Sequence, residues 1–321
     1  MKARLPLGGR AWPRVLPLVL ATAALVLGVT AADAAPARPP AVGAASTATA
    51  VGGTSTGSCN PEASSIRPSG PPQALLKSGS FMATIRKRGY LIAGVDQNAA
   101  PFGFLDPYTG LHEGFDIDMV QAVALAIFGS PGHVVYKSIS DTDRIPDLRN
   151  GSVDIVAYTY TITCARLKQV DFSTVYFVAH QRVLVLKNSP ARSLADLRGQ
   201  KVCAAKGTTS IAAIVAAKAI PDLVTYWTDC LVLLQQADVA AISTDNTILA
   251  GLAKQDPWTE LIGPFINDQP YGLAIANTHP DFVAFVNAVL EQLFTNGQWA
   301  ASYARWVGGA VPRPPAAEYK S

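Results

Sequence analysis

"VDIVAYTYTITCARLKQVDFSTVYF", residues 153 to 177, opens on a run that belongs in a core and turns polar in its middle. "VDIVAYTYTI" reads as one strand, β-branched and aromatic enough to be buried. Yet threonines stand at 159, 161 and 163, and Cys164 and Arg166 follow at once. A buried edge has no use for a guanidinium and a row of hydroxyls unless something polar is held there. Alternate residues would then face core and cleft, with Ile162 packing and Thr159 and Thr161 lining the cleft.

Outward from this block the chain alternates short β-rich runs with amphipathic helices. Upstream, "YLIAGV" (90–95) reads as a strand and "FDIDMVQAVALAIFG" (115–129) as a helix, with Asp116 or Asp118 near its start and Gly129 at its stop. "HVVYKSI" is a strand and "RIPDLRNG" a short helix; downstream, "QRVLVLK" is a longer strand. "LRGQKVCAA", "TTSIAAIVAAKAI", "LVTYW", "CLVLLQQA", "VAAIS" and "TILAGLAKQ" continue the alternation. The fold class expected is α/β, with parallel or mixed sheets. Near the end, Phe282, Phe285, Val286, Val289, Leu290, Leu293 and Phe294 share one helical stripe that stops at Gly297, and a helix with Trp299, Tyr303 and Trp306 follows. At this spacing the aromatics are core residues.

With 321 residues, 49% of them hydrophobic, the chain can build two cored lobes. Its net charge of +3 comes mostly from residues near the two ends, so no basic face for nucleic acid is expected. Basic residues up to Arg14, the apolar run "VLPLVLATAALVLGV" and Ala32-Asp33-Ala34 together read as a cleaved export signal over 1–34. The alternative is a retained membrane anchor, for which the run is short. No cysteine follows the run, so no lipid-modified anchor is expected, and the mature protein should be extracytoplasmic. Residues 35–79 read as a disordered spacer rich in Pro, Ala and Ser, and 309–321 as a flexible tail.

Export favours pairing of the four cysteines, for which three connectivities exist. Cys203 and Cys230 fall within one compact α/β unit, which leaves Cys59 to tie the spacer to Cys164. No C-x-x-C is present and His112, His133, His180 and His279 are scattered, so no metal site is expected. Nor is there a G-x-G-x-x-G, a P-loop, a G-x-S-x-G or an H-E-x-x-H, and no cofactor is implied.

What remains suits a small zwitterion. An α-amino acid needs a cation and N–H groups for its carboxylate, and an anion with hydroxyls for its ammonium. Arg166 lies past a strand edge. "GTTS" (207–210), with Thr208 and Thr209, stands where a strand gives way to a helix. Asp245 follows "VAAIS" and could face an ammonium or simply cap the helix after it.

"GFDIDMVQAVA", the block at 153–177, "LRGQKVCAAKGTTS", "AISTDNTILAGL" and "QPYGLAI" occur in this chain in the order found in family 3 extracellular solute-binding proteins, the polar-amino-acid receptors of ABC importers. The likeness spans about residues 80 to 308 and is nearest the actinobacterial glutamine/glutamate-binding branch. It implies the two-lobed periplasmic-binding-protein fold (type II): lobe 1 over 80–181 plus 273–308, lobe 2 over 182–272, with two hinge strands crossing near His180–Leu184 and Gln269–Gly272. By the same resemblance Arg166 clamps the α-carboxylate with an N–H from Thr209. Thr161 serves the α-groups, and Thr159 and Asp245 the ammonium. The expected protein is a monomeric receptor that closes on its ligand and delivers it to a membrane permease.

The chain departs from that pattern where the side chain would be read. Ala99 stands where an aromatic lid is expected, with Phe102 and Phe104 nearby, and the glycine of the strand edge is Thr159. Asp96 would suit an amide; Lys206 and Arg144 point toward glutamate or aspartate, the favoured ligands, with glutamine or asparagine next. All three could instead be solvated loop residues. Two other functions share the fold: a sensor that signals to a membrane protein without transport, and a cyclohexadienyl/prephenate dehydratase-like enzyme. An intact α-carboxylate clamp with Asp245 favours binding over catalysis.

Overall fold

The computed structural model describes residues 59–320. The expected export signal and the spacer up to residue 58 lie outside the described residues. Among the described residues no helix is long and apolar enough to cross a membrane.

The first lobe is built on a five-stranded sheet. Leu91–Val95 is flanked by Val134–Ser138 and Ile155–Ala157, both parallel to it; Ala274–Ile275 pairs antiparallel with Ile155–Ala157, and Asp171–Phe172 pairs antiparallel with Ala274–Ile275 at the edge. Parallel neighbours need crossovers, and here the helices Phe115–Phe128 and Arg144–Arg149 supply them. The longer helix buries Ile117, Val120, Val123 and Ile127 and ends at Gly129, whose φ of 76° allows its N–H to return to the Leu125 carbonyl. Helix Pro280–Asn296 comes back from the far end of the chain to pack in the same cluster. Its Phe282, Phe285, Val286 and Leu290 are fully buried, and Trp299 of the following helix joins them. Each such side chain contributes about 1.5–3 kcal/mol on burial, so this helix belongs energetically to the first lobe despite its distance in sequence.

The second lobe has its own sheet and its own core. Its strands run in the order Ile220–Val224, Lys201–Ala205, Ala241–Asp245, Phe177–Leu186, Thr259–Ile262, with helices Trp227–Gln235 and Asn246–Gln255 packed on them. Cys203 and Cys230 are bonded, pinning strand Lys201–Ala205 to helix Trp227–Gln235. The long strand changes partners along its length. Phe177 to His180 pair with Asp268–Tyr271, whereas Gln181 to Leu186 pair with Ala241–Asp245 and Thr259–Ile262. These two antiparallel strands, Phe177–Leu186 and Asp268–Tyr271, carry the chain between the lobes.

Three expectations are corrected. The strand expected through Ile162 stops at Ala157, because Thr159 turns to φ 44°, its N–H donating to the buried Asp116 carboxylate over 2.7 Å. The alternation nonetheless survives: Tyr158, Tyr160 and Ile162 enter a core cluster, while Thr159 and Thr161 face the other way. Residues 59–79, expected to lack structure, are docked. Cys59 is bonded to Cys164, and Asn287 donates to both the Ser65 hydroxyl and the Ile66 carbonyl at 2.7 Å. The tail at 309–320 is also held. Tyr319 bridges to Ser65 and donates its hydroxyl to Glu291, and the Arg67 guanidinium lies 4.8 Å from the Tyr319 ring centre. Both segments lack hydrophobic periodicity, so their order depends on partners outside the segment, 222 residues away for Ser65 with Asn287 and 28 for Tyr319 with Glu291.

Candidate functional site

One small polar cavity collects groups from both lobes. The first lobe contributes Asp141, Arg144, Thr159, Thr161 and Arg166; the second contributes Thr208, Thr209, Ser210, Trp227, Thr244, Asp245 and Ile248. The cavity is about 10 Å³, room for a single water, so its walls must part to admit anything larger. Larger grooves of about 530 and 510 Å³ lie elsewhere on the surface, without such a convergence of charge.

Arg166 sits on the four-residue helix Cys164–Leu167, which Thr163 caps by accepting the Arg166 N–H. The guanidinium stacks 4.3 Å from the centre of the Tyr160 ring. It donates to the Thr161 carbonyl at 2.6 Å and, across the lobe boundary, to the Gly207 carbonyl at 3.1 Å. Burial, then the neighbouring Arg144, lower its pKa to about 10, so it keeps its charge at neutral pH.

Asp245 ends strand Ala241–Asp245 and stands at the N-cap of helix Asn246–Gln255, but its side chain makes no capping bond. Instead its Oδ2 accepts the Tyr271 hydroxyl at 2.6 Å, and Tyr271 belongs to the second crossing strand. Of the two sequence alternatives the simple cap therefore fails. Burial raises the Asp245 pKa to about 6, with the Tyr271 hydrogen bond and the Arg166 charge opposing the rise.

The threonines converge on Gln269. Thr161 and Thr209 each donate their hydroxyl to its Oε1 over 2.8 Å. Thr208 turns its hydroxyl to the Ala205 carbonyl, and Thr159 its own to the Tyr158 carbonyl.

Two expected site residues lie elsewhere. Lys206 is exposed and does not line the cavity, because the turn after Ala205 carries it outward. Asp96 is buried at the end of the first strand, but its Oδ1 accepts the Asn98 N–H at 2.8 Å and it does not line the cavity. Burial and the Asp141 charge raise its pKa to about 7. Arg144, weighed as a solvated loop residue, is 3% exposed: its Nη2 pairs with Asp141 Oδ1 at 3.0 Å and donates to the Gly207 carbonyl. No aromatic lid comes from the first loop. Ala99 packs into the second lobe's core, Phe102 into the first lobe's against Phe177 and Tyr271, and Phe104 against Trp306. Trp227 and Ile248 supply the apolar wall instead, from helix positions that sequence periodicity marks only as packing. Asp141 was also missed; in "SISDTDRIP" nothing distinguishes it from Asp143.

The chain is 34% identical over 229 residues to the ABC transporter glutamine-binding protein GlnH of Bacillus subtilis strain 168, covering 70% of this chain and 84% of that one. It is 39% identical over 195 residues to the glutamine-binding protein of Geobacillus stearothermophilus, covering 60% and 74%. Among solved structures, an ancestral arginine-binding protein bound to glutamine aligns with a TM-score of 0.65 at 33% identity, over 69% of this chain and 99% of that one. Residues 91–309 match the bacterial extracellular solute-binding proteins, family 3. With two α/β lobes meeting at a charged cavity, the chain belongs to that family.

Proposed function

We propose that this protein is an extracytoplasmic receptor that binds a polar amino acid between its lobes and presents the closed form to an ABC importer. The observation that carries the reading is the meeting of Arg166, from the first lobe, with Asp245, from the second, in one polar cavity. A cation and an anion at opposite walls match the carboxylate and ammonium of an α-amino acid.

In this reading Arg166 exchanges its bonds to the Thr161 and Gly207 carbonyls for the ligand α-carboxylate, assisted by N–H groups at Thr208 and Thr209. Asp245 takes the ammonium, together with the hydroxyl of Thr161 and the carbonyl of Thr159. The lobes, 80–181 plus 273–308 and 182–272, part about the crossing strands and shut on the ligand. Ligand contacts on both sides favour the closed state in proportion to its differential affinity. Relatives named as glutamine-binding and as glutamate/aspartate import proteins support a polar amino acid as ligand and an importer as partner. The dehydratase-like alternative is the weaker reading, since the relatives are named as binding proteins.

Calorimetry of the mature chain with each of the twenty amino acids tests the reading. We expect binding of a polar amino acid by the wild type and its loss, by at least a hundredfold, in Arg166→Ala with secondary structure retained. A wild type that binds none of them ends the receptor reading; a variant with wild-type affinity ends the role of Arg166.

A further inference from the structure

Tyr271 stands between the polar cavity and the groove of about 510 Å³: its hydroxyl meets Asp245, which lines the first, and Thr247, which lines the second. Two helices, one from each lobe, face this groove with residues one turn apart. Asn246, Ala250 and Lys254 come from helix Asn246–Gln255, and Trp299, Tyr303 and Val307 from helix Gln298–Trp306 and its C-cap. A spacing of four puts each trio on one stripe. Phe177, Val178 and His180 of the crossing strand lie between the two helices, and Pro312, Arg313 and Pro315 of the tail complete the wall. The periodicity that marks Tyr303 as core holds only in part. Its ring stacks on Phe177 with centres 5.9 Å apart and packs on Trp299 at 5.3 Å, yet it is half-buried and lines the groove. Sites for small molecules measure about 300–1,000 Å³ and favour boundaries between domains, which this groove matches.

The charge in the groove is of one sign. Lys254 and Arg313 are exposed there, and neither forms an ion pair among the described residues. His180 also lines the groove, but its Nδ1 is already matched by Asp268 at 2.8 Å. Among the described residues no carboxylate lines the groove. An aromatic floor beside two unmatched cations suits a flat apolar body, which stacks on Tyr303, joined to an anionic group for Lys254 and Arg313. An aromatic cation would be repelled, and a compact inorganic anion would leave the apolar floor wet.

We propose that this groove is a second binding site, for an organic anion with an aromatic body, of which an aromatic carboxylate is the simplest case. The proposal is independent of the receptor reading, because the groove and the polar cavity share no lining residue.

The test is calorimetry at neutral pH with naphthalene-2-carboxylate and, as its uncharged counterpart, naphthalene-2-carboxamide. The wild type is expected to bind the carboxylate at one site per chain and at least tenfold more tightly than the amide. The double variant Lys254→Gln/Arg313→Gln should lose at least tenfold in carboxylate affinity and keep its affinity for the amide. Ala250→Trp, which fills the groove from an exposed helix position, should weaken both at least tenfold with circular dichroism retained. A wild type that does not bind the carboxylate overturns the proposal, as does equal affinity for acid and amide. Wild-type carboxylate affinity in both variants places the binding elsewhere and overturns it as well.

Discussion

The hydroxyls of Thr161 and Thr209 converge on one oxygen, Oε1 of Gln269, each at 2.8 Å, although the two threonines belong to different lobes. Gln269 lies on the second crossing strand and donates its own amide to Asn267 Oδ1. A single side chain at the crossing thus holds an edge of each lobe. In Gln269→Ala both hydroxyls lose their acceptor, which should cost about 1–3 kcal/mol in urea unfolding. The radius of gyration of the ligand-free variant should also rise in solution scattering. An unchanged midpoint and an unchanged scattering profile would show that the shared oxygen does not hold the lobes.

Gly251 makes the other close approach. A Cβ built on it would lie 1.8 Å from the Ala100 carbonyl oxygen, so the first-lobe loop rests directly on the backbone of helix Asn246–Gln255. Alanine favours a helix over glycine by about 1 kcal/mol, so Gly251→Ala suits the isolated helix while barring this contact. The expected result is retained circular dichroism with affinity for the amino-acid ligand at least tenfold weaker. Wild-type affinity would place the contact outside the closure.

If Asp245 takes the ligand ammonium as proposed, its protonation should make binding depend on pH. Its pKa is raised from 3.8 to about 6, so in the ligand-free protein it contributes stability that is full below 3.8 and lost as pH rises through about 6. A bound ammonium reverses the preference by stabilising the carboxylate. Affinity should therefore hold above pH 6 and fall as pH drops below it, by up to about tenfold per pH unit. Titration calorimetry between pH 4.5 and 8 on the wild type and Asp245→Asn checks this. The variant should bind weakly with no such slope, and an equally steep slope in it would assign the proton elsewhere.

The bond between Cys59 and Cys164 closes a separation of 105 residues, and Cys164 opens the helix that carries Arg166. In the chain-entropy account a loop of that length is worth about 4–5 kcal/mol. The Cys59→Ser/Cys164→Ser double variant should lose roughly 2–5 kcal/mol of stability. Ser65 and Ile66, held separately by Asn287, should remain docked. Protease resistance of residues 59–67 in the variant reads the second point, and prompt cleavage there would show that the disulfide alone holds the segment.

Much of the fold was legible because the signals are local. Helix Phe115–Phe128 with its glycine stop, helix Pro280–Asn296 with its aromatic stripe, and the alternation of 158 to 162 follow from periodicities of neighbouring residues. The assignment of Cys203 and Cys230 to one unit rested on the same local reading, and the structure bonds them. The docking of 59–79 and 309–320 was not legible, because polar segments of low periodicity become ordered only through distant partners such as Asn287 and Glu291.

The cavity divides in the same way. Sequence determined that hydroxyls and a guanidinium follow a core strand, and that a second strand ends on an acid, since those facts need only residue type and spacing. Whether Asp245 caps its helix or meets Tyr271, whether Lys206 or Arg144 enters the cavity, and that Asp141 keeps an unpartnered oxygen there were decided by tertiary structure. Side-chain direction at a loop and burial of a charge depend on what the other lobe brings against it. In this protein that is the Gly207 carbonyl, which lies within hydrogen-bonding distance of both Arg144 and Arg166.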